Sequence, residues 1–214
     1  MLVAIEIEAV IFDYGGVFTP SPFSAAHTYA EAQGVAPERV LAIVFGDYQR
    51  DTDHPWHQLE RGELDLTTAL EKIGVEAKRE GIKFDAADLF GGMSDDGIDR
   101  TVVVDHVRGL REMGLRTAIL TNNVAEFSSV WRERLPVDEL FDLVVDSSEE
   151  KIRKPNPEIY LRTLTRLGVS TPGAAIFLDD FAPNVDAARE LGLHGILVDP
   201  DPRSALAALN DLLD

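Results

Sequence analysis

The sequence contains no cysteine, which excludes disulfides, thiolate metal sites and a cysteine nucleophile. That absence is compatible with a reducing compartment, and a cytoplasmic location is expected. No apolar run approaches the roughly 20 residues that a membrane-spanning helix needs. The first residues, MLVAIEIEAV, lack a basic segment and a small-residue cleavage site, and Glu6 and Glu8 interrupt their apolar stretch. They read as the lead-in to a strand and not as a signal peptide. Positive charge is scarce: 20 basic against 38 acidic side chains leave a net charge of −18. Such a surface repels nucleic-acid phosphates, so nucleic acid is not an expected partner; with no long apolar run, neither is a membrane. An anionic substrate must therefore be held by local positive charge or by a metal. Internal repeats, low-complexity segments and long linkers are also missing.

What is present is a chain of 214 residues, 45% of them hydrophobic, enough for one large domain or a core with a smaller insert. Its organising stretch is IFDYGGVFT, residues 11–19. Ala9-Val10-Ile11-Phe12 reads as the buried part of a strand over residues 7–13 that ends on Asp13. Gly15 and Gly16 are expected to let the backbone turn sharply and approach a ligand closely. From residue 19 to about residue 98 the apolar spacing predicts helices over Ser24–Gln33, Pro37–Phe45, Leu66–Ile73 and Ala86–Phe90, with no strand between them. An all-helical insert at this place predicts a small domain over the strand end, with Gly91-Gly92-Met93 as a hinge.

The remainder alternates. A helix over Arg100–Met113, closed by Gly114, leads to a strand over Leu115–Leu120 that ends on Thr121-Asn122-Asn123. A helix over Phe127–Leu135 and a strand over Leu140–Asp146 follow, then a polar loop, SSEEKIRKPNPE. A helix over Pro157–Leu167 precedes a strand over Ala174–Leu178 that ends on Asp179-Asp180. Last come a helix over Pro183–Leu191, a strand over His194–Val198 and a helix over Ser204–Leu213. This pattern predicts an α/β fold, a Rossmann-like parallel sheet with helices on both faces.

In a parallel sheet the carboxyl ends of the strands share one edge, so Asp13, Thr121 with Asn122, Lys154, and Asp179 with Asp180 are expected to converge. This inventory suits Mg²⁺-assisted transfer of a phosphoryl group to a carboxylate. A carboxylate and a dianionic phosphate repel each other; a cation on hard oxygen ligands and a lysine ammonium would neutralise both. A hydroxyl and the backbone N–H groups of the glycine turn would hold the phosphate oxygens. Blander readings exist for each residue. Asp179 and Asp180 could be a turn residue and a helix cap, and Lys151 competes with Lys154. His54 and His57 invite a metal reading but lack a third ligand, so solvated or capping roles are expected. Trp56 is expected in a core or interface. Arg61, Arg50 and Tyr14 are conceivable substrate contacts.

FDYGGV, LTNN, RKP and FLDDFAPNVDAARELG occur in that order and resemble the motifs of the haloacid dehalogenase (HAD)-like hydrolase superfamily. HPWHQLERGELD, residues 54–65, resembles the cap helix of its epoxide-hydrolase-N-terminal-like and sugar-phosphatase-like branch. The resemblance implies five core strands in the order 5-4-1-2-3, a core domain of residues 1–18 and 99–214, and a helical cap of residues 19–98. It implies Asp13 as nucleophile and Lys154 as the neutralising lysine. Gly16, Thr121, Asn122 and Lys154 would bind phosphate; Asp13, Gly15, Asp179 and Asp180 would bind Mg²⁺, with Asn184 supporting the metal loop. The implied activity is hydrolysis of a small phosphorylated metabolite, such as a sugar phosphate, through an aspartyl-phosphate, by a monomer or homodimer. One position departs from the pattern. Family phosphatases carry a second aspartate, the general acid and base, where this chain has Gly15. That substitution keeps a C–P hydrolase and a non-catalytic binding or regulatory protein open as alternatives; a 2-haloacid dehalogenase, which uses the same nucleophile without metal, is a further one but would leave Asp179 and Asp180 without purpose. A C–P hydrolase needs a cap lysine, and none lies between Tyr14 and Glu71.

Overall fold

The computed structural model describes residues 6–91 and 96–213. Five parallel strands form its sheet: β1 (Ala9–Phe12), β2 (Arg116–Thr121), β3 (Leu143–Asp146), β4 (Ala175–Asp179) and β5 (His194–Leu197), in the order β3-β2-β1-β4-β5. This is the expected order. Register places Phe12 beside Ile119 and Leu178, so β1 sits centrally and its end lies level with the ends of β2 and β4.

Strand alternation explains why these runs are almost wholly apolar. Val10, Phe12, Ile119, Ile176 and Leu178 pack into one layer, and Ala9, Ile11, Ala118, Leu120 and Phe177 into the other. A strand covered on both faces has no polar side. Helices α6 (Thr101–Glu112) and α12 (Arg203–Leu213) contribute to the first layer, and α10 (Pro157–Leu167) to the second.

Between β1 and α6 the described residues form five helices, α1 (Pro22–Ala32), α2 (Pro37–Val44), α3 (Pro55–Glu60), α4 (Leu66–Arg79) and α5 (Ala86–Gly91). Proline opens α1, α2 and α3, where its missing N–H costs nothing. Together they bury an apolar cluster of their own, including Ala26, Val40, Phe45, Leu59, Ile73 and Leu89. Among the described residues no strand occurs in this segment. Of the expected hinge only Gly91 is described; Gly92 and Met93 lie outside the described residues. No described helix is long and apolar enough to cross a membrane.

Several boundaries differ from the reading of the sequence: α4, expected to end at Ile73, runs on to Arg79, and β1, expected over residues 7–13, spans Ala9–Phe12. The third strand begins at Leu143; Val137–Leu140 is instead a helical turn, α8, that buries Leu140. A short apolar segment satisfies either geometry, and only pairing with β2, which starts at Leu143, decides. The polar loop after it opens with another helical turn, α9 (Ser147–Glu150), because the Asp146 carboxylate accepts the Ser148 N–H at 2.9 Å and caps it.

Candidate active site

The sheet edge brings the expected side chains together. Lys154 is fully buried, and its ammonium lies 2.9 Å from Asp13 Oδ1 and 2.6 Å from Asp179 Oδ2. Asp13, Asp179 and Asp180 each offer an oxygen within 4.8 Å of the other two. One ammonium thus faces three carboxylates. Burial, reinforced by Asp179, raises Asp13 to about 7 against the pull of Lys154. Burial, with Asp179 and Asp13 nearby, raises Asp180 to about 8. Burial alone would lower Lys154, but Asp13 and Asp179 hold it above its ordinary value. A further cation would relieve the excess negative charge.

Local structure positions each group. Asp13 Oδ1 also accepts the Tyr14 N–H at 2.7 Å, which orients the carboxylate and leaves Oδ2 for other partners. Asp179 is saturated: it accepts Lys154, the Phe181 N–H at 2.8 Å and the Asn184 amide at 3.2 and 3.1 Å. Asn184 sits in α11 (Ala182–Glu190), so that helix holds the loop after β4. The two glycines are not equivalent. Gly16 has φ +72°, and a Cβ there would stand 2.1 Å from the Asp180 carboxylate. Gly15 has no such constraint; a Cβ would meet Pro22 Cδ at 3.7 Å, an ordinary contact. The expectation that both glycines serve the turn therefore holds for Gly16 alone.

Thr121 is buried at the end of β2 and lines the cavity beside Asp13. The Asn122 side chain is committed elsewhere: its Oδ1 accepts the Lys154 N–H at 2.8 Å and its Nδ2 donates to the Lys154 carbonyl at 3.0 Å. This bidentate clamp fixes Lys154. Lys151, the competing lysine, donates instead to the carbonyls of Ser148 and Gly62.

The sequence reading missed a second buried ion pair beside the first. Arg153, fully buried, donates to Glu60 of α3 at 2.6 Å and lies 4.3 Å from the Tyr48 ring centroid. Glu60 also accepts from Tyr48 at 2.5 Å and from the Trp56 indole at 2.8 Å. Tyr48 accepts from Asn122 at 3.3 Å, which joins this cluster to the Lys154 clamp. The available signal was the arginine directly before Lys154. His54 caps α3 by accepting the Trp56 N–H, but His57 is not solvated. It is buried, it accepts the Thr52 N–H at 3.0 Å, and burial depresses it to about 3. Arg61 pairs with Asp51 and Glu63, and Arg50 with Asp47; neither lines the cavity. Tyr14 does, with its ring 4.7 Å from that of Trp131.

Above the carboxylates lies a cavity of about 660 Å³, within the range of small-molecule sites. Asp13, Gly15, Thr121 and Asp180 form its polar end; Phe23, Phe45, Phe90, Val124, Phe127 and Trp131 are among its apolar walls.

The fold and site define an α/β protein with a carboxylate–lysine cluster at the ends of its parallel strands and a helical insert after β1. Residues 7–192 match the family model of haloacid dehalogenase-like hydrolases. The chain belongs to that family. It is 35% identical over 211 residues to acyl-CoA dehydrogenase family member 10 of Mus musculus, covering 96% of this chain but only 19% of that protein. It is 27% identical to sesquiterpene phosphatase astK of Aspergillus oryzae, with 88% of each chain covered. It is also 27% identical to a phosphorylated carbohydrates phosphatase of Thermotoga maritima, covering 89% and 84% of the two chains. Among solved structures, the fold matches the HAD family enzyme bt-2542 of Bacteroides thetaiotaomicron in an Asp-to-Ala mutant complex with magnesium and inorganic phosphate. That match has a TM-score of 0.63 at 18% identity over 91% and 95% of the chains. The L-2-haloacid dehalogenase RSc1362 matches with a TM-score of 0.67 at 19% identity over 96% and 99%.

Proposed function

We propose that the chain is a Mg²⁺-dependent phosphomonoester hydrolase acting through an aspartyl-phosphate on Asp13, with residues 19–98 as its cap. The observation that carries this reading is the cluster of three carboxylates around one buried ammonium. Displacement of halide from an organic acid by one carboxylate gains nothing from two more carboxylates beside it. Transfer of a phosphoryl group does, because Asp180 can join Asp13 in holding a cation against the phosphate while Asp179 aligns Lys154. The donor set fits Mg²⁺: all hard oxygens, carrying more negative charge than Lys154 balances. Asp13, Asp180 and the Gly15 carbonyl would hold the ion, with Asp179 as the support that aligns Lys154 and the loop. When bound, Mg²⁺ supplies charge neutralisation for the phosphate.

The chain's own residues supply the rest. Asp13 Oδ2 attacks phosphorus in line, and the ester oxygen leaves with the bonding pair. Lys154, Thr121 and the backbone N–H groups of the turn at Gly16 stabilise the equatorial oxygens. Water then attacks the acyl phosphate, frees inorganic phosphate and restores the carboxylate. With no side chain at position 15, the leaving oxygen takes its proton from solvent, which slows alkyl esters more than aryl esters. The aromatic cavity walls favour an apolar leaving group over a sugar.

Phosphate release from p-nitrophenyl, hexyl and glucose phosphates, with Mg²⁺ and with EDTA, tests this reading. Turnover should require Mg²⁺, favour hexyl over glucose phosphate, and vanish in Asp13→Asn while the circular-dichroism spectrum stays unchanged. Halide release from 2-chloropropionate without ester turnover would overturn it.

A further inference from the structure

Among the described residues, one basic side chain of the cavity has no hydrogen-bond or ion-pair partner. Arg134 ends α7 (Ser128–Arg134) and lines the cavity wall. Each of the chain's other fourteen arginines has a carboxylate at ion-pair distance. Arg134 has none, and makes no side-chain hydrogen bond, among the described residues. In a chain with 38 acidic and 20 basic side chains carboxylates are abundant, yet this exposed side chain meets none among the described residues.

Those surroundings are apolar and periodic. Phe127, Val130, Trp131 and Arg134 are spaced i, i+3, i+4, i+7 and all line the cavity, as one helix face does. Phe127 and Val130 are 39% and 49% exposed, far above what core residues show, so this face is open to a ligand. Arg132, on another face of the helix, is paired with Glu149. Tyr14, next to Asp13, packs its ring on Trp131 and lies within electrostatic reach of Arg134. The strip thus passes Tyr14, the residue next to the reacting carboxylate, and ends in a guanidinium that is unpaired among the described residues.

We propose that Arg134 binds a second anionic group, a carboxylate or a second phosphate, on a substrate whose apolar body lies along Phe127, Val130 and Trp131. The proposal rests on the phosphomonoesterase reading and names its substrate class: an apolar phosphomonoester with a distal oxyanion. The guanidinium fork matches either oxyanion in two parallel hydrogen bonds, which a lysine cannot reproduce.

Two measurements separate this inference from the reading beneath it. The first compares kcat/KM for hexyl phosphate, 6-phosphooxyhexanoate and hexane-1,6-diyl bisphosphate in the wild type, R134Q and R134K. The wild type should favour one or both charged tails by roughly tenfold or more, mainly through KM, as expected for a charge-assisted pair. The ratio should fall to near one in R134Q and be partly kept in R134K; the preferred tail identifies the anion. Equal kcat/KM for charged and uncharged tails in the wild type, or a ratio that survives R134Q, overturns the role of Arg134. The second is calorimetric binding of 6-phosphonohexanoate and hexylphosphonate in the presence of Mg²⁺, which needs no turnover. Tighter binding of the carboxylated probe, lost in R134Q, supports Arg134 even if no ester is hydrolysed; equal affinities overturn it.

Discussion

At the scale of single residues, position 15 is where chemistry and backbone separate. A glycine between a nucleophile and a tight turn invites a conformational explanation, yet only Gly16 has the positive φ and the carboxylate packed against it. The missing side chain at 15 is therefore a chemical choice, and the structure leaves room to reverse it. Gly15→Asp should fold and raise kcat for hexyl phosphate more than for p-nitrophenyl phosphate, by up to roughly 10²-fold. Equal gains for both esters would place proton transfer elsewhere. Gly16→Ala should behave in the opposite way. Its Cβ would displace Asp180, so Mg²⁺-dependent turnover should be lost with the fold retained; calorimetric titration with Mg²⁺ checks that the ion no longer binds.

At the scale of elements, α3 is tied to the loop that carries Lys154. Glu60 ends α3, and its carboxylate receives Arg153, Tyr48 and the Trp56 indole. Its carbonyl accepts the Ser147 hydroxyl at 2.6 Å. Breaking a buried pair on one side leaves an uncompensated charge, at a cost of roughly 3–5 kcal/mol. Glu60→Gln should therefore lower stability by about that amount in urea denaturation. The double variant Glu60→Gln/Arg153→Met should recover part of the loss, because it removes the stranded guanidinium. Recovery of nothing would mean that Glu60 stabilises through Tyr48 and Trp56 alone. None of this was legible from hydrophobic spacing, which finds faces and not partners. The helix over Pro55–Glu60 came only from the resemblance of residues 54–65 to a cap helix, since its turn and a half is too short for a periodic pattern.

At the scale of the whole molecule, His57 couples stability to pH. In the fold it is a buried acceptor, depressed to about 3, whereas an unfolded histidine titrates near ~6.5. Below that value the unfolded chain takes up a proton that the folded chain refuses, so this contribution is complete above pH ~6.5 and is lost as pH falls toward about 3. With allowance for solvent screening, the loss between pH 7 and pH 5 should be on the order of 1–2 kcal/mol. Urea midpoints across that range should shift less in His57→Gln than in the wild type; parallel shifts would show that His57 does not carry the effect.

The sequence by itself determined the alternation of elements, the strand order through its resemblance, and the places where polar groups sit. Buried parallel strands are contiguous apolar runs, and the residue that ends each run is local information. Asp13, Thr121, Asp179 and Asp180 could be named for that reason, and Lys154 by its place in a loop. The tertiary structure alone decided how those groups are used. Asn122 clamps the Lys154 peptide, Asp179 is saturated, Arg153 finds Glu60 93 residues away, and Arg134 finds no carboxylate among the described residues. Partner choice depends on distances between segments remote in sequence, which are set only when the sheet register and the packing of the helices above it are complete.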